Sequence, residues 1–151
     1  MFNSQNQLLL QKRAKKKESF PGLWDISAAG HISAGDESRR TACRELKEEL
    51  GIDVSENELD FLFTITGKYE DPERPFLDHE LSDIYLLRKD IMLDTVKMCS
   101  DEVDDVRYFG IDELKTALDA RPELFVPHYE AYERLFGYLV SVKKWTYKLS
   151  R

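Results

Sequence analysis

The stretch of residues 30–52, GHISAGDESRRTACRELKEELGI, decides the fold because it leads from a glycine-containing loop into an amphipathic helix. Glu45, Glu48 and Glu49 stand at i, i+3 and i+4, so they fall within an arc of roughly 100° on one helix face. Small and apolar residues fall on another part of the helix and form a stripe that can pack against a sheet: Ala42, Cys43, Leu46 and Leu50. We therefore expect one side of this helix to hold the fold and the acidic side to stay open.

The acidic side of the helix predicts a positively charged partner. Like charges at this spacing destabilise a helix by about 0.2–0.5 kcal/mol per pair unless a cation offsets them. Arg44 and Lys47 can supply part of that charge. Clustered carboxylates also suit Mg²⁺ or Mn²⁺, which bind carboxylate, water and phosphate oxygens. Taken alone, this spacing is more often a solvated acidic face than a metal site, so the flanking residues must decide.

The flanking residues resemble the Nudix box, a pattern written G-x5-E-x7-R-E-U-x-E-E-x-G-U in which U is aliphatic. One position departs from the pattern, because Asp36 stands where the first glutamate belongs. Its carboxylate can still serve near the helix N-terminus as a cap or dipole partner. The resemblance implies an α/β (α+β) fold in which a mixed β-sheet is sandwiched between helices. The matching positions are Gly30, Arg44, Glu45, Leu46, Glu48, Glu49, Gly51 and Ile52.

Length and composition predict one compact enzyme domain over residues 1–151. The net charge of −7 argues against binding a nucleic acid polymer, but leaves small phosphorylated substrates open. Two cysteines, Cys43 and Cys99, form neither a disulfide framework nor a CxxC metal motif, so a reducing cytoplasm is expected. The sequence has no long apolar run and no start resembling a signal peptide, so neither membrane insertion nor export is expected.

Local patterns predict the remaining elements. We expect Gly51 to end the acidic helix in a left-handed cap. A later helix shows an apolar face made by Tyr132, Leu135, Phe136 and Leu139. The predicted strands cover residues 7–13, 23–27, 59–66, 81–88 and 106–109, and the predicted later helices cover residues 111–118 and 129–140.

Two further segments are similar to the Nudix branch that includes isopentenyl-diphosphate isomerase. These are LLL-x-KR at residues 8–13 and WD-x-S-x-x-GH at residues 24–31. Members of that branch usually carry some tens of residues before the first strand, so the resemblance implies either a missing N-terminal segment or a sheet that is short at one edge. It also implies a reactive cysteine two residues before the histidine, where this chain has Ala29. Alanine cannot carry a proton, so hydrolysis is favoured over isomerisation.

The same resemblance supplies two secondary candidates for the metal site. His31 alone remains from the histidines that the isomerase uses, and Glu80 matches by position a glutamate at its metal site. Each residue also has an ordinary structural interpretation. His31 can be a loop histidine bonded to backbone, and Glu80 can be a charged residue on an edge strand.

The Nudix resemblance implies hydrolysis of a phosphoric anhydride bond in a nucleoside diphosphate linked to a moiety X. It implies Mg²⁺ or Mn²⁺ held by the Gly30 carbonyl and the carboxylates of Glu45, Glu48 and Glu49. Arg44 is expected to orient a box glutamate through its planar guanidinium. The general base is Glu48, Glu49 or a carboxylate further along such as Glu102, which lies in an acidic run at residues 101–105 that is otherwise expected to be solvated.

A basic loop at residues 12–17 offers a complementary feature, since five of its six residues are cationic in an acidic chain. It is predicted to hold substrate phosphates, with Arg13 and Lys17 as candidate binding residues, although a solubilising surface loop is the alternative. Trp24 and Phe20 are interpreted as core residues before base-stacking residues.

Three classes of function therefore stay open. The first is the metal-dependent pyrophosphohydrolase, acting on a small phosphorylated substrate that is a nucleotide derivative. The second is an isomerase of allylic diphosphates, and the third is a non-catalytic Nudix module that senses a nucleotide. The nature of X depends on loop geometry, and the oligomeric state, with a homodimer among the options, is not fixed by the sequence.

Overall fold

A computed structural model describes residues 1–70 and 77–149, with side chains described for residues 1–66 and 81–142. Most predicted elements are present and extend further than expected, whereas the second strand is shorter. The strands are β1 (Gln7–Arg13), β2 (Trp24–Asp25), β3 (Leu59–Glu70), β4 (Leu77–Leu87) and β5 (Val103–Gly110). The α-helices are α1 (Ser38–Leu50), α2 (Ile111–Ala120) and α3 (Tyr129–Leu149).

β2 is shorter than the strand predicted at residues 23–27, because side-chain hydrogen bonds replace backbone pairing after Asp25. Only Trp24 and Asp25 pair with β1. Asp25 then accepts a hydrogen bond from the N–H of Ile26 through its own carboxylate, at 2.7 Å. Ser27 donates its hydroxyl to the carbonyl of Leu9. The chain thus leaves the sheet early while staying attached to β1.

The chain divides into two compact units, one of Met1–Phe63 with Tyr85–Val126 and one of Thr64–Ile84 with Pro127–Arg151. The prediction of a single domain over residues 1–151 stays a prediction. In the first unit, β1 is the central strand of a three-stranded sheet of order β2-β1-β5, with antiparallel pairing on both sides. Its core joins the sheet to α1 and comprises Leu9, Leu46, Leu50, Ile52, Leu59, Leu87, Val103 and Val106.

The C-terminal end of α1 is fastened to the rest of the first unit. Gly51 adopts φ +66° and donates its N–H to the carbonyl of Lys47 at 3.0 Å, which confirms the predicted left-handed cap. A Cβ atom on Gly51 would lie 2.7 Å from Cβ of Lys97, so a side chain has no room there. The N–H groups of Lys97 and Cys99 bond the last free carbonyls, those of Leu50 at 2.9 Å and Glu49 at 2.8 Å.

The N-terminal end of α1 is simpler. Glu37 occupies the N-cap position, and no side chain caps the helix there. Of the two roles expected for Asp36, the cap is wrong, because this residue precedes the cap position and its N–H closes a turn onto the carbonyl of Ser33 at 2.9 Å. Its role as a partner of the helix dipole stays a prediction. The helix therefore starts with unbonded N–H groups facing an exposed loop.

In the second unit, described contacts join a strand segment to α3. Thr64 donates its hydroxyl to Asp83 at 2.6 Å, and Arg134 donates to the carbonyl of Thr64 at 3.0 Å. The predicted apolar face of α3 is present, with Tyr132 and Leu139 buried. Within the described part of the chain, no helix combines the length and the hydropathy that crossing a membrane requires.

Candidate metal and phosphate site

Glu49 is buried, which corrects the expectation of an open acidic face. Glu49 is only 6% exposed. Its Oε2 accepts hydrogen bonds from Nε2 of Gln11 at 2.9 Å and from the N–H of Ala29 at 3.4 Å. Burial is the main cause that raises the pKa of Glu49 to about 7, and the hydrogen bonds from Gln11 and Ala29 oppose that rise. The helix wheel could not show this, because the covering groups come from β1 and from the loop after β2.

Glu45 lies against Gly30. A Cβ atom built on Gly30 would come 2.1 Å from Cδ of Glu45, so this carboxylate occupies the space that any other residue would fill. Burial is the first cause that raises the pKa of Glu45, and the carboxylates of Glu48 and Glu102 raise it further while Arg44 and Lys17 oppose them. Gly30 thus provides close access between the loop backbone and a box carboxylate.

Arg44 binds two of the three box glutamates. Its Nη2 lies 3.0 Å from Oε1 of Glu45, and its Nη1 lies 3.5 Å from Oε2 of Glu48. Glu48 is the outermost of the three, with a side chain 59% exposed. The expected contact between Arg44 and a box glutamate is present, while its catalytic role stays a prediction.

The box glutamates lie toward the C-terminal end of α1, where the helix dipole is negative. Carboxylates at this end are unfavourable, whereas a cation there is favourable by about 0.3–1 kcal/mol. Lys47 is the basic residue of the last turn, but its Nζ pairs with Asp53 at 3.0 Å. Lys47 therefore does not neutralise the box glutamates, and much of their negative charge must be offset by Arg44 or by a bound cation.

Glu102 joins the box acids although it is distant in sequence. The segment that leads to it is anchored where the N–H of Cys99 bonds the carbonyl of Glu49 at 2.8 Å. Glu102 then donates its N–H to the carbonyl of Cys99 and accepts from the N–H of Ala14, both at 2.9 Å. Its carboxylate is close enough to raise the pKa of both Glu45 and Glu49. The main chain therefore places a fourth carboxylate at the box.

The basic loop and the acidic run pair with each other. Lys16 binds Asp101 and Lys17 binds Glu102, and the N–H of Lys15 donates to Asp104 at 3.2 Å. Asp101 and Asp104 are exposed, as expected for a solvated acidic run, but they also have partners, because antiparallel pairing of β1 with β5 brings the end of the basic loop beside the start of the acidic run. An open depression of about 410 Å³ lies between them, lined by Lys16, Lys17, Glu18, Ser19, Asp101 and Glu102.

Arg13 is engaged inside its own loop. Its Nη1 bonds Asp25 at 2.9 Å, its Nε bonds the carbonyl of Ser19 at 3.0 Å, and its Nη2 bonds the hydroxyl of Ser19 at 3.0 Å. These contacts shape the loop after β1. The predicted substrate contact of Arg13 stays a prediction, as does that of Lys17.

The other candidates are less informative. His31 lies in the exposed loop before α1. Glu80 belongs to β4, and its side chain lies outside the described residues. Trp24 packs edge to face on Phe109 with ring centroids 5.3 Å apart, as its interpretation as a core residue predicts.

Gln11 was not predicted as a site residue. It is 2% exposed and bonds Glu49 directly, while its Oε1 has no hydrogen-bond partner among the described residues. The available signal was a glutamine at the end of an apolar run in a strand. That pattern alone does not reveal which helix the amide faces.

The donor set fits Mg²⁺ or Mn²⁺ in its chemistry. Glu49 is close enough to Glu45 and Glu102 for their charges to raise its pKa, Glu48 acts on Glu45 in the same way, and the buried amide oxygen of Gln11 has no hydrogen-bond partner among the described residues. Hard oxygen donors of this kind suit both ions. As the side chains stand, no group of three acids, histidines or cysteines among the described residues is arranged around an ion. Arg44 binds two of the carboxylates instead.

Comparison with known proteins shows the family of this chain. Residues 1–134 match the family model described as NUDIX domain, and the chain belongs to the Nudix hydrolase family. An uncharacterized Nudix hydrolase of Listeria innocua is 37% identical over 131 residues, covering 85% of this chain and 69% of that protein. An isopentenyl-diphosphate Delta-isomerase of Pectobacterium atrosepticum is 33% identical over 144 residues, covering 95% of this chain and 76% of that protein.

Coverage differs widely between relatives. Nudix hydrolase 3 of Arabidopsis thaliana is 38% identical over 124 residues, which is 81% of this chain but only 16% of that longer protein. The solved structure of DR0079 from Deinococcus radiodurans aligns with a TM-score of 0.65 at 20% identity, covering 88% of this chain and 76% of that one. A bifunctional NMN adenylyltransferase/ADP ribose pyrophosphatase from Francisella tularensis, complexed with AMP and Mn ion, aligns with a TM-score of 0.58 at 18% identity. The alignment covers 90% of this chain and 38% of that one. These likenesses confirm the expected Nudix-type α+β fold.

Proposed function

We propose that this protein is a metal-dependent pyrophosphohydrolase that cleaves a nucleoside diphosphate linked to a moiety X by attack of water on phosphorus. The observation that carries the proposal is the gathering of Glu45, Glu49 and Glu102 beside the cations Arg44 and Lys17. Carboxylates repel a diphosphate unless cations lie between the two. An acidic cluster with cations only at its edge can therefore bind a diphosphate only when a metal ion is bound as well.

The carboxylates of Glu45, Glu48 and Glu49 and the carbonyl of Gly30 would hold the ion. When bound, Mg²⁺ or Mn²⁺ supplies positive charge to the diphosphate and lowers the pKa of water. The Francisella tularensis protein includes an ADP ribose pyrophosphatase and was solved as a complex with AMP and Mn ion, which supports this choice of substrate class and metal.

The remaining residues bind and orient. Arg44 holds Glu45 and Glu48 in fixed positions through its planar fork. Lys16 and Lys17 line the depression and can bind phosphate oxygens in place of their present carboxylate partners. The proton of the attacking water passes to Glu48, Glu49 or Glu102. Replacing each by glutamine and comparing the pH profiles of turnover separates these three candidates.

An activity screen tests the proposal. The panel contains NDP-sugars, dinucleotides, CoA esters, and nucleoside di- and triphosphates, each with Mg²⁺ or Mn²⁺ and with EDTA. We expect release of phosphate-containing products from at least one class, none in EDTA, and a loss of about 100-fold in turnover for Glu49→Gln. Glu37→Gln, an exposed carboxylate at the start of the same helix, is the matched control and should keep wild-type turnover. Full turnover by Glu49→Gln, or turnover in EDTA, contradicts the proposal, whereas tight binding without turnover would favour a sensing module.

Isomerisation of isopentenyl diphosphate is the second candidate, and the relative from Pectobacterium atrosepticum is the observation in its favour. Ala29 argues against it, since this residue offers only its backbone N–H to Glu49. We expect wild-type protein incubated with isopentenyl diphosphate and Mg²⁺ to give no allylic isomer by NMR. Formation of that isomer at a catalytic rate would replace hydrolysis with isomerisation as the function.

A further inference from the structure

Gln11 occupies a rigid position opposite α1. It lies on the central strand β1, paired with Asp25 on one side and with Val106 on the other. Side chains alternate along a strand, so Gln11 shares a face with Leu9. Leu9 belongs to the core cluster that includes two leucines of α1. The backbone therefore aims the amide of Gln11 at the helix that carries the box.

The amide contacts one oxygen of Glu49 and leaves the other free. Nε2 of Gln11 donates to Oε2 of Glu49 at 2.9 Å, and the N–H of Ala29 reaches the same oxygen at 3.4 Å. From the residues whose side chains are described, no hydrogen bond reaches Oε1 of Glu49. Two donors on one oxygen fix the rotation of the carboxylate, so Oε1 is the oxygen presented to a ligand.

Packing alone does not account for a glutamine here. Its own Oε1 is buried without a partner among the described residues, and a buried unpartnered carbonyl destabilises the fold. An apolar residue would fill the strand without that cost, as Leu8, Leu9 and Leu10 do at the preceding positions. The contact that the amide gains in return is the one to Glu49.

We infer that Gln11 is a positioning residue that orients Glu49 toward a divalent cation at the box, an inference that rests on the proposed function. It acts through Glu49 and touches no substrate. A residue that hydrogen-bonds to a metal-binding carboxylate without touching the metal sets the orientation of that carboxylate. Loss of such a residue typically weakens metal binding by about 10–100-fold.

The experiment measures binding of Mn²⁺ alone to the full chain, by calorimetry and by electron paramagnetic resonance. Gln11→Met removes the amide while keeping the length of the side chain, and should weaken Mn²⁺ binding by about 10-fold or more. Gln7→Met makes the same change at the other end of β1, where the amide instead accepts a hydrogen bond from Asn3, and should bind Mn²⁺ like the wild type. Circular dichroism shows whether each variant is folded.

A double-mutant cycle separates positioning from packing. Glu49→Asp keeps a carboxylate but shortens it, so that it no longer reaches the amide of Gln11. In that background, Gln11→Met should weaken Mn²⁺ binding by less than about twofold, because the two changes remove the same contact. An equal loss in both backgrounds shows a packing role and overturns the inference, as does a Gln11→Met variant with wild-type affinity. If Gln11→Met does not fold, Gln11→Asn, which keeps the amide on a shorter side chain, is judged by the same criteria.

The outcomes for the two proposals differ. Wild-type protein that binds Mn²⁺ with the expected coupling, but hydrolyses nothing in the substrate panel, defeats the proposed function and leaves the role of Gln11 standing. Hydrolysis that depends on metal, with no effect of Gln11→Met on Mn²⁺ binding, defeats the inference alone. Wild-type protein that binds no Mn²⁺ defeats both.

Discussion

The two ends of α1 are built in different ways. At the N-terminal end, Glu37 provides no side-chain cap and the preceding loop is exposed. At the C-terminal end, Gly51 closes the helix and two N–H groups from the segment before β5 bond its last carbonyls. The box glutamates lie toward the fastened end. The comparison shows that main-chain bonds hold the end of the helix that carries the box glutamates, whereas no side chain caps the other end.

The fastened end is also the electrostatically strained end. It combines the buried carboxylate of Glu49 and the partly buried carboxylate of Glu45 with the negative pole of the helix. Binding of a cation stabilises such an arrangement. We therefore expect the clustered acids to lower the stability of the metal-free protein. Changes at this end should therefore have large effects, and changes at the opposite end small ones.

Gly30→Ala should give the largest effect on activity. The added methyl would overlap the carboxylate of Glu45, which can swing away because its side chain is flexible. We expect stability to change little, while turnover and Mn²⁺ affinity fall by roughly 100-fold, since a displacement of about 1 Å at a reacting site has that effect. Kinetics and Mn²⁺ titration measure the loss. Gly137→Ala, where a methyl meets nothing within 4 Å, is the control. Unchanged Mn²⁺ affinity in Gly30→Ala would break the comparison.

The second prediction concerns pH in the presence of EDTA. Because the pKa of Glu49 is raised from 4.5 to about 7, the folded protein binds this proton more tightly than the unfolded chain. Stability from this group is complete below about pH 4.5 and is lost as pH rises through 7, by roughly 3 kcal/mol in total.

Urea unfolding of the wild type and of Glu49→Gln at several pH values checks this sign. The difference in free energy of unfolding should move in favour of Glu49→Gln between pH 5 and pH 8 by most of that amount, roughly 2 to 3 kcal/mol. Glu37→Gln should follow the wild type throughout. A pH-independent difference for Glu49→Gln would show that burial does not strain this end of the helix.

Gly51→Ala tests the fastening itself. The left-handed backbone and the nearby Cβ of Lys97 both disfavour a side chain, so we expect a loss of about 2 kcal/mol in the free energy of unfolding. Urea unfolding measures it, again with Gly137→Ala as the control, which should be neutral or slightly stabilising. A neutral Gly51→Ala would mean that the cap can relax without moving the acids.

Glu37→Asp should have the smallest effect and the opposite sign. Aspartate is a favoured N-cap residue whose short side chain can accept from the free N–H groups, so we expect a gain of about 0.5–1 kcal/mol with unchanged turnover. Thermal unfolding and the hydrolase assay check the two parts. Any substantial change in turnover would show that the N-terminal end also shapes the site.

The sequence predicted what local patterns control. The strands, the apolar stripe of α1 and the cap at Gly51 follow from periodicity and from the freedom of glycine. It did not predict the burial of Glu49 or its bond to Gln11, because a helix wheel does not show which strand covers a face. Nor did it predict that Lys17 binds Glu102, a contact between residues 85 positions apart that depends on the pairing of β1 with β5.

The pairing of the basic loop with the acidic run has a consequence for the range of molecules that the protein can admit. Ion pairs near solvent contribute little to stability and weaken as salt rises, so the amines of Lys16 and Lys17 can exchange partners while the main-chain bond from Ala14 to Glu102 keeps the two loops together. A ligand of the proposed kind would have to compete with Asp101 and Glu102 for these two amines, which favours a ligand that carries phosphate groups. Raising the salt concentration should therefore weaken the ion pairs between the two loops while leaving the buried carboxylate of Glu49 unaffected.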